Sequence, residues 1–229
     1  MAAGRGQVVS LGNDPGIHRL ADSPTLQTMT NDTALFLGQW IRSPGTVGAV
    51  APSSRRLAEA VTSPVPHRGD PVIVELGPGT GAFTAEIQRR LGGRGHHVAV
   101  EINPRLAEFL AAGNPGVDVV VDDAARLPQL LRERGLSKAD AIVSGLPWAA
   151  FSTDTQERLL GAVTAVMGPH TAFTTFAYSF AKRLPPARRF RRRLSDTFEE
   201  VVVGRTVWGN VPPAFVYHAR RPRLPAPES

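Results

Sequence analysis

The stretch that most constrains the fold is Val72-Ile73-Val74-Glu75-Leu76-Gly77-Pro78-Gly79-Thr80-Gly81-Ala82-Phe83-Thr84. Its apolar start reads as a buried parallel strand, its glycines as a tight turn, and Ala82 to Ile87 as the opening of a helix. Strand, glycine turn and helix form the unit with which open α/β sheets bind nucleotides at the carboxyl ends of their strands. The details narrow the ligand. A Walker loop needs a lysine and a hydroxyl residue after its last glycine, and neither is present. Gly77, Gly79 and Ala82 nearly match the dinucleotide pattern G-x-G-x-x-A, but Glu75 stands just before them. A carboxylate there would repel a pyrophosphate and attract a cationic ligand. With no ligand at all, Glu75 would be a buried, unpaired charge, which is costly.

S-adenosylmethionine (SAM) carries an α-ammonium and a sulfonium. The pattern Glu75-x-Gly77-x-Gly79-x-Gly81 resembles the first motif of class I SAM-dependent methyltransferases. That resemblance implies SAM contacts from Glu75, Gly77, Pro78, Gly79 and Gly81. The rest of the chain fits such a sheet. Strands are predicted at about 72–76, 97–101, 117–121, 140–144 and 171–178, with helices at about 82–91, 104–112, 125–134 and 154–167. Alternation of this kind argues a parallel sheet with right-handed crossovers. Two further strands, about 198–207 and 214–218, would close it with an antiparallel last strand.

Each strand end offers a candidate. Glu101, with Ile102 behind it, ends the second strand, where a carboxylate can accept from both ribose hydroxyls. Such an acid serves NAD as well as SAM, and an exposed loop glutamate would look the same. Asp122-Asp123-Ala124 ends the third strand. The resemblance implies that Asp123 accepts from the adenine amine beside Ala124, while either aspartate also suits a plain helix cap. The fourth strand ends Ser144-Gly145-Leu146-Pro147-Trp148. This looks like a variant of the Asn-x-Pro-aromatic motif of amino-group methyltransferases, with Ser144 on the cofactor side. Leu146, Pro147 and Trp148 would then hold the acceptor, Trp148 offering an aromatic face that favours cations. The other reading of Trp148 is a core residue at a turn. Tyr178, ending the fifth strand, is the candidate catalytic residue, orienting the acceptor amine; it also suits a buried packing role.

A closer resemblance rests on Trp40-Ile41-Arg42-Ser43-Pro44, Val47-Gly48-Ala49-Val50-Ala51-Pro52-Ser53-Ser54-Arg55, Val100-Glu101-Ile102-Asn103-Pro104, Ser144-Gly145-Leu146-Pro147, Phe176-Ala177-Tyr178 and Asn210-Val211-Pro212-Pro213-Ala214. With the glycine loop, and in this order, they resemble the bacterial phospholipid N-methyltransferases that methylate phosphatidylethanolamine. They are similar, more distantly, to the rRNA adenine dimethyltransferases. The implied fold is a Rossmann-like, seven-stranded class I methyltransferase sheet behind an N-terminal helical lid. The expected organisation is a disordered tail (1–30), the lid (31–70), the methyltransferase domain (71–218) and a second disordered tail (219–229). In the lid, Phe36, Leu37, Trp40 and Ile41 share one helix face, and Trp40 is a candidate acceptor contact. Trp148 stands where the lipid enzymes usually carry an aliphatic residue, so the acceptor pocket departs from the family pattern.

Composition bears mainly on partners and compartment. There is no cysteine, which excludes disulfides and thiolate chemistry. The six histidines show no ligand spacing, so no metal is expected, and His96-His97 reads as the exposed start of a strand. No secretory signal and no membrane-spanning run is visible, and the expected location is cytoplasmic, with a peripheral place on the inner membrane face. The formal net charge is +6. Much of the excess lies in Arg188-Arg189-Phe190-Arg191-Arg192-Arg193. That run suits an anionic membrane, RNA phosphates, or simply a solvated helix face; an arginine-rich proteome would leave the same mark. The expected activity is SAM-dependent N-methylation of an aminophospholipid such as phosphatidylethanolamine at the membrane surface. The alternatives are methylation of a small soluble amine or natural product, and rRNA adenine N6-methylation. A SAM-fold module that binds an anionic surface without turnover is the non-enzymatic alternative.

Overall fold

The computed structural model describes residues 53–223. The expected tail 1–30, the helix bearing Trp40 and the loop 47–52 lie outside the described residues. The described chain forms a seven-stranded sheet. Its strands are β1 (Val72–Leu76), β2 (His96–Glu101), β3 (Asp118–Val121), β4 (Ala139–Ser144), β5 (Met167–Tyr178), β6 (Phe198–Val203) and β7 (Ala214–Pro222). Their order is β3-β2-β1-β4-β5-β7-β6. Strands β1 to β5 are mutually parallel, while β7 runs antiparallel to both β5 and β6. The helices are α1 (Arg55–Val61), α2 (Thr84–Leu91), α3 (Pro104–Gly113), α4 (Leu127–Glu133), α5 (Thr153–Ala165) and α6 (Pro185–Thr197).

Central strands of a parallel sheet are covered on both faces and read as continuous apolar runs. Ile73, Val74 and Leu76 of β1 and Ile142 and Val143 of β4 are accordingly fully buried. One apolar layer gathers Trp148, Leu159, Val163, Phe173, Phe190 and Phe198. The other gathers Leu57, Val61, Phe83, Ile87, Val143 and Val216. The caps follow from local chemistry. Asn103 accepts from the backbone N–H groups of Arg105 and Leu106, and Pro104 occupies the first turn of α3, where its missing N–H costs nothing.

Three sequence expectations need correction, and one segment of the expected lid is described. Within the expected lid span 31–70, residues 55–61 form α1, capped by Ser54, whose Leu57, Ala58 and Val61 are buried against the sheet. The Val61 carbonyl accepts from Thr174 Oγ1 of β5 at 2.8 Å, so this segment is part of the sheet's covering layer. Residues 219–222, expected as a disordered tail, belong to β7. Arg/Pro composition suggests disorder, but here Ala219 pairs with Phe173 on one side and Val201 on the other. Only the small Ala219 side chain has to be buried. Strand β6 stops at Val203 rather than 207. His97, expected at an exposed strand start, is buried, while His96 is exposed; side chains alternate along a strand, and His97 falls on the face covered by α2.

Candidate active site

The parallel strands deliver their carboxyl ends to one edge. There the glycine turn 77–81, Glu101 and Ile102, Asp122 to Ala124, the turn 144–148 and Tyr178 are brought together by strand order alone. The chain reverses its direction of growth between β1 and β4, the position where open α/β sheets leave a crevice. Backbone bonds fix the junction. Gly77 N–H donates to the Val100 carbonyl at 2.9 Å, and Gly145 N–H donates to the Leu76 carbonyl at 2.8 Å. The turn passes very close to β4. A Cβ on Gly145 would lie 2.5 Å from the Gly77 carbonyl oxygen. Gly77 has φ +65°, and a Cβ there would meet Leu146 Cδ2 at 2.7 Å. Only glycine serves at either position.

Glu75 lies beneath this turn and is fully buried. Its Oε2 accepts from Thr84 Oγ1 at 2.7 Å, and His97 Nε2 lies 3.2 Å from the same oxygen. Its Oε1 has no hydrogen-bond partner. Gln88 Nε2 approaches His97 Nδ1 at 2.9 Å. Thr84, Gln88 and His97 were not singled out by sequence reasoning. Strand alternation held a usable signal, since it places His97 and Glu101 on one face of β2.

Glu101 is 6% exposed, and its carboxylate is already engaged. Oε2 accepts from Gly79 N–H at 3.1 Å and Oε1 from Asn103 N–H at 2.9 Å. It therefore anchors the glycine turn to the end of β2, with lone pairs remaining on each oxygen. Ile102 is 61% exposed beside it, unusual for so large an apolar group. Asp123 acts as the cap of the short 3₁₀ turn Ala124–Arg126, accepting from Ala125 N–H at 2.9 Å. Its Oδ2 lies 3.3 Å from Arg158 Nη1. Asp122 is paired with Arg126 at 2.5 Å. Ala124 is buried.

At the end of β4 the structure corrects two assignments. Trp148 is 2% exposed and packs in the core, stacked on Phe190 at 5.2 Å and edge-on to Phe173 at 5.7 Å. Its indole N–H donates to Ser144 Oγ at 2.9 Å. Trp148 thus shows no face to an acceptor, because the turn 148–150 directs the ring beneath α6. The Ser144 hydroxyl, expected to face the cofactor, is buried and turned toward the indole on the Trp148 side of the sheet. The backbone remains: the Leu146 carbonyl accepts from Trp148 N–H at 2.9 Å, and the Gly145 carbonyl accepts from no described residue.

Tyr178 is half-buried, edge-on to Phe176 and stacked on Phe180 at 5.8 Å. Burial pushes its phenol up to about 12, so it stays protonated at neutral pH. It can orient a group by hydrogen bonding but does not serve as a base there.

Around Tyr178 lies a rim that sequence reasoning caught only in part. Phe180, Leu184, Trp208 and Val211 are 68%, 50%, 77% and 68% exposed. The first two lie on the segment after β5 and the last two on the loop before β7. Ser179 N–H donates to the Pro213 carbonyl at 2.8 Å, tying the two segments together. Between Phe180 and Leu184 in the chain, Lys182 and Arg183 line one surface cleft with Arg188, Arg191, Arg192 and Ser195. Helix α6 explains the division: Ala187, Phe190 and Leu194 face the core, and the arginines face out. Arg193 is instead ion-paired with Glu157, and Arg189 is exposed without lining the cleft.

Comparison with known proteins agrees with this geometry. A methyltransferase domain family matches residues 73–170. The ornithine lipid N-methyltransferase of Singulisphaera acidiphila is 33% identical over 193 residues, which is 82% of this chain and 96% of that one. A probable ribosomal RNA small subunit methyltransferase A from Pyrobaculum islandicum is 36% identical over 100 residues, 42% of this chain and only 36% of that relative. Among solved structures, a SAM-dependent O-methyltransferase from Thermotoga maritima superposes with a TM-score of 0.57 at 13% identity, covering 82% of this chain and 72% of that one. Human methyltransferase-like protein 13 in complex with S-adenosylhomocysteine (SAH) gives 0.56 at 16% identity, covering 76% and 82%. The sheet order, the glycine turn against β4 and the full-length relative agree: the chain belongs to the class I SAM-dependent methyltransferases, and SAM is its cofactor.

Proposed function

We propose that this enzyme methylates the amine of a lipid headgroup, phosphatidylethanolamine or a related aminolipid, at an anionic membrane surface. The observation that carries the reading is the rim beside Tyr178. Four large apolar side chains are exposed on the two segments that meet there, and Lys182 and Arg183, lying between Phe180 and Leu184 in the chain, line a cleft with three further basic residues. Apolar groups flanked by cations suit the boundary between headgroups and acyl chains, where both kinds of group are satisfied. Each arginine near anionic lipid contributes about 1 kcal/mol. Identity along nearly the full length of a lipid N-methyltransferase supports the same class of acceptor.

The site residues fit SAM. The unpartnered Oε1 of Glu75 suits a cationic ammonium, and the close approach of Gly77 to Gly145 leaves bare backbone where a ligand must come near. In this reading the turn 77–81, with Pro78, Gly79 and Gly81, frames the amino-acid arm. Glu101 takes the ribose hydroxyls while keeping Gly79 in place. Ile102 and Ala124 flank adenine, and Asp123 Oδ2 exchanges its exposed Arg158 partner for the adenine amine. Ser144 contributes backbone rather than its hydroxyl. SAM supplies an electrophilic methyl on a sulfonium, transferred in line to a neutral amine. The chain's task is alignment and exclusion of water. The carbonyls at Gly145 and Leu146 accept from the amine, Pro147 holds that turn rigid, and the Tyr178 hydroxyl fixes the amine's approach.

The rim makes the reading testable. On vesicles of phosphatidylcholine with phosphatidylethanolamine, initial rates should rise with added anionic lipid and fall with salt, as counterions screen the cleft. A double replacement, Phe180→Ser with Trp208→Ser, should lower the vesicle rate at least about ten-fold and leave SAH affinity unchanged. Equal rates for both proteins on vesicles, or full turnover on a soluble amine alone, would reject the lipid acceptor.

A further inference from the structure

We propose that His97 is a positioning residue of the cofactor site, holding Glu75 so that one carboxylate oxygen remains free for the cofactor's α-ammonium. This rests on the reading of Glu75 given above and adds a residue to it.

Both side chains are completely buried, and His97 Nε2 lies 3.2 Å from Glu75 Oε2. The hydrogen-bond partners fix the histidine's tautomer. The amide nitrogen of Gln88 can only donate, so His97 Nδ1, 2.9 Å away, accepts. With Nδ1 accepting, the ring proton sits on Nε2, on the side of Glu75. Thr84 Oγ1 donates to the same carboxylate oxygen at 2.7 Å. Oε2 therefore accepts one hydrogen bond, from Thr84, with His97 Nε2 3.2 Å away and itself without a hydrogen-bond partner, and Oε1 accepts none. A buried carboxylate oxygen without a donor is costly, and proteins keep few such atoms without a use.

The asymmetry has a mechanical consequence. Rotation about the last side-chain torsion of glutamate is soft and would exchange the two oxygens. The Thr84 hydrogen bond and the adjacent imidazole, both on the side of Oε2, bias that rotation, so Oε1 stays on the unfilled side. His97 is itself held by Gln88 on α2, the helix that the glycine turn opens. Strand β2, helix α2 and the carboxylate of β1 are thereby linked beneath the turn. A strand interior at this depth could be filled with an apolar residue, as at the neighbouring Val98 and Ala99. A histidine there, with a fixed tautomer against a half-satisfied carboxylate, points to orientation of that carboxylate.

The test uses two ligands. SAH carries the α-ammonium; methylthioadenosine keeps the adenine and ribose but lacks the amino-acid arm. Calorimetry on the full chain should show His97→Leu binding SAH about ten-fold more weakly and methylthioadenosine within about two-fold of the parent. His97→Gln, whose amide nitrogen reaches the place of Nε2, should recover most of the SAH affinity. Gln88→Leu, which frees the imidazole, should weaken SAH alone by several-fold and serves if His97→Leu does not fold. Glu75→Gln separates the layers of the argument. If it leaves SAH affinity unchanged, the underlying reading of Glu75 fails. If it weakens SAH and His97→Leu does not, the positioning role alone is refuted. Equal weakening of both ligands by His97→Leu, or no recovery in His97→Gln, would reduce His97 to packing and overturn the proposal.

Discussion

Replacing Gly145 with alanine should separate the active-site edge from the rest of the fold. The added Cβ would lie 2.5 Å from the Gly77 carbonyl oxygen, with Gly77 C at 3.6 Å and Leu76 O at 3.7 Å. All three are backbone atoms, so no side chain can swing aside. Ordinary contact begins near 3.4 Å, and the β1 and β4 ends must part by roughly 0.9 Å to reach it. That movement stretches the 2.8 Å bond from Gly145 N–H to Leu76 O and shifts the glycine turn. Overpacking of this kind costs about 1–3 kcal/mol, a fall in melting temperature of roughly 2–12 °C for a chain of this size. The larger effect should be on SAH affinity, because the displaced backbone belongs to the crevice itself; a loss of about 100-fold is expected for a misplacement near 1 Å. Gly161 provides the control. It lies inside α5 with open space around its Cβ position, and Gly161→Ala should stabilise by about 0.5–1 kcal/mol without touching affinity. Differential scanning fluorimetry and calorimetry with SAH read both quantities. Parent-like affinity in Gly145→Ala would refute the argument that this contact shapes the cofactor crevice.

Three further outcomes follow from particular side chains. Trp148→Ala should cost about 3–5 kcal/mol in urea unfolding, since it opens a cavity beside Phe190 and removes the indole donor to Ser144 Oγ, leaving only the longer bond from Leu146 N–H; a loss of activity without loss of stability would restore Trp148 to the acceptor site. Tyr178→Phe should reduce kcat about ten-fold or more with SAM KM unchanged, and the pH–rate profiles of both proteins should keep the same shape below pH 10, because the phenol titrates only at about 12. Burial first, and then the Arg220 charge, depress the folded-state titration of His218. The unfolded chain then binds the extra proton, so stability is present above about pH 6.5 and is lost as the pH falls below it; His218→Gln should flatten that part of the stability profile, and an unchanged profile would contradict it.

Much of the sheet was legible because parallel strands announce themselves as apolar runs. Val72–Leu76 and Ala139–Ser144 stand within a residue of their expected limits. Glycine loop and strand-end acids were legible for a related reason, since the fold places strand ends together whatever the helices do. Side-chain direction was much less legible. Trp148 occupies the expected turn, but the following 3₁₀ turn sends its ring under α6, a packing outcome that local sequence does not encode. The role of Asp123 was ambiguous because a helix cap and an adenine acceptor ask for the same residue. Strand β7 was underestimated because Arg220 and Arg221 read as tail, while pairing on both edges of a strand outweighs composition. His97 was missed because a histidine's neighbours on the adjacent strand and helix become visible only once register is known.

In the proposed reaction the transferred methyl ends on a lipid nitrogen. The direct measurement is mass spectrometry of the products after incubation with SAM carrying a deuterated methyl group, offered phosphatidylethanolamine and ornithine lipid in mixed vesicles together with RNA and soluble amines. A deuterated methyl should appear on a lipid headgroup amine, absent with heat-denatured enzyme and diminished by Tyr178→Phe. Deuterium found only in RNA or in a soluble amine, with both lipids unchanged, would contradict it.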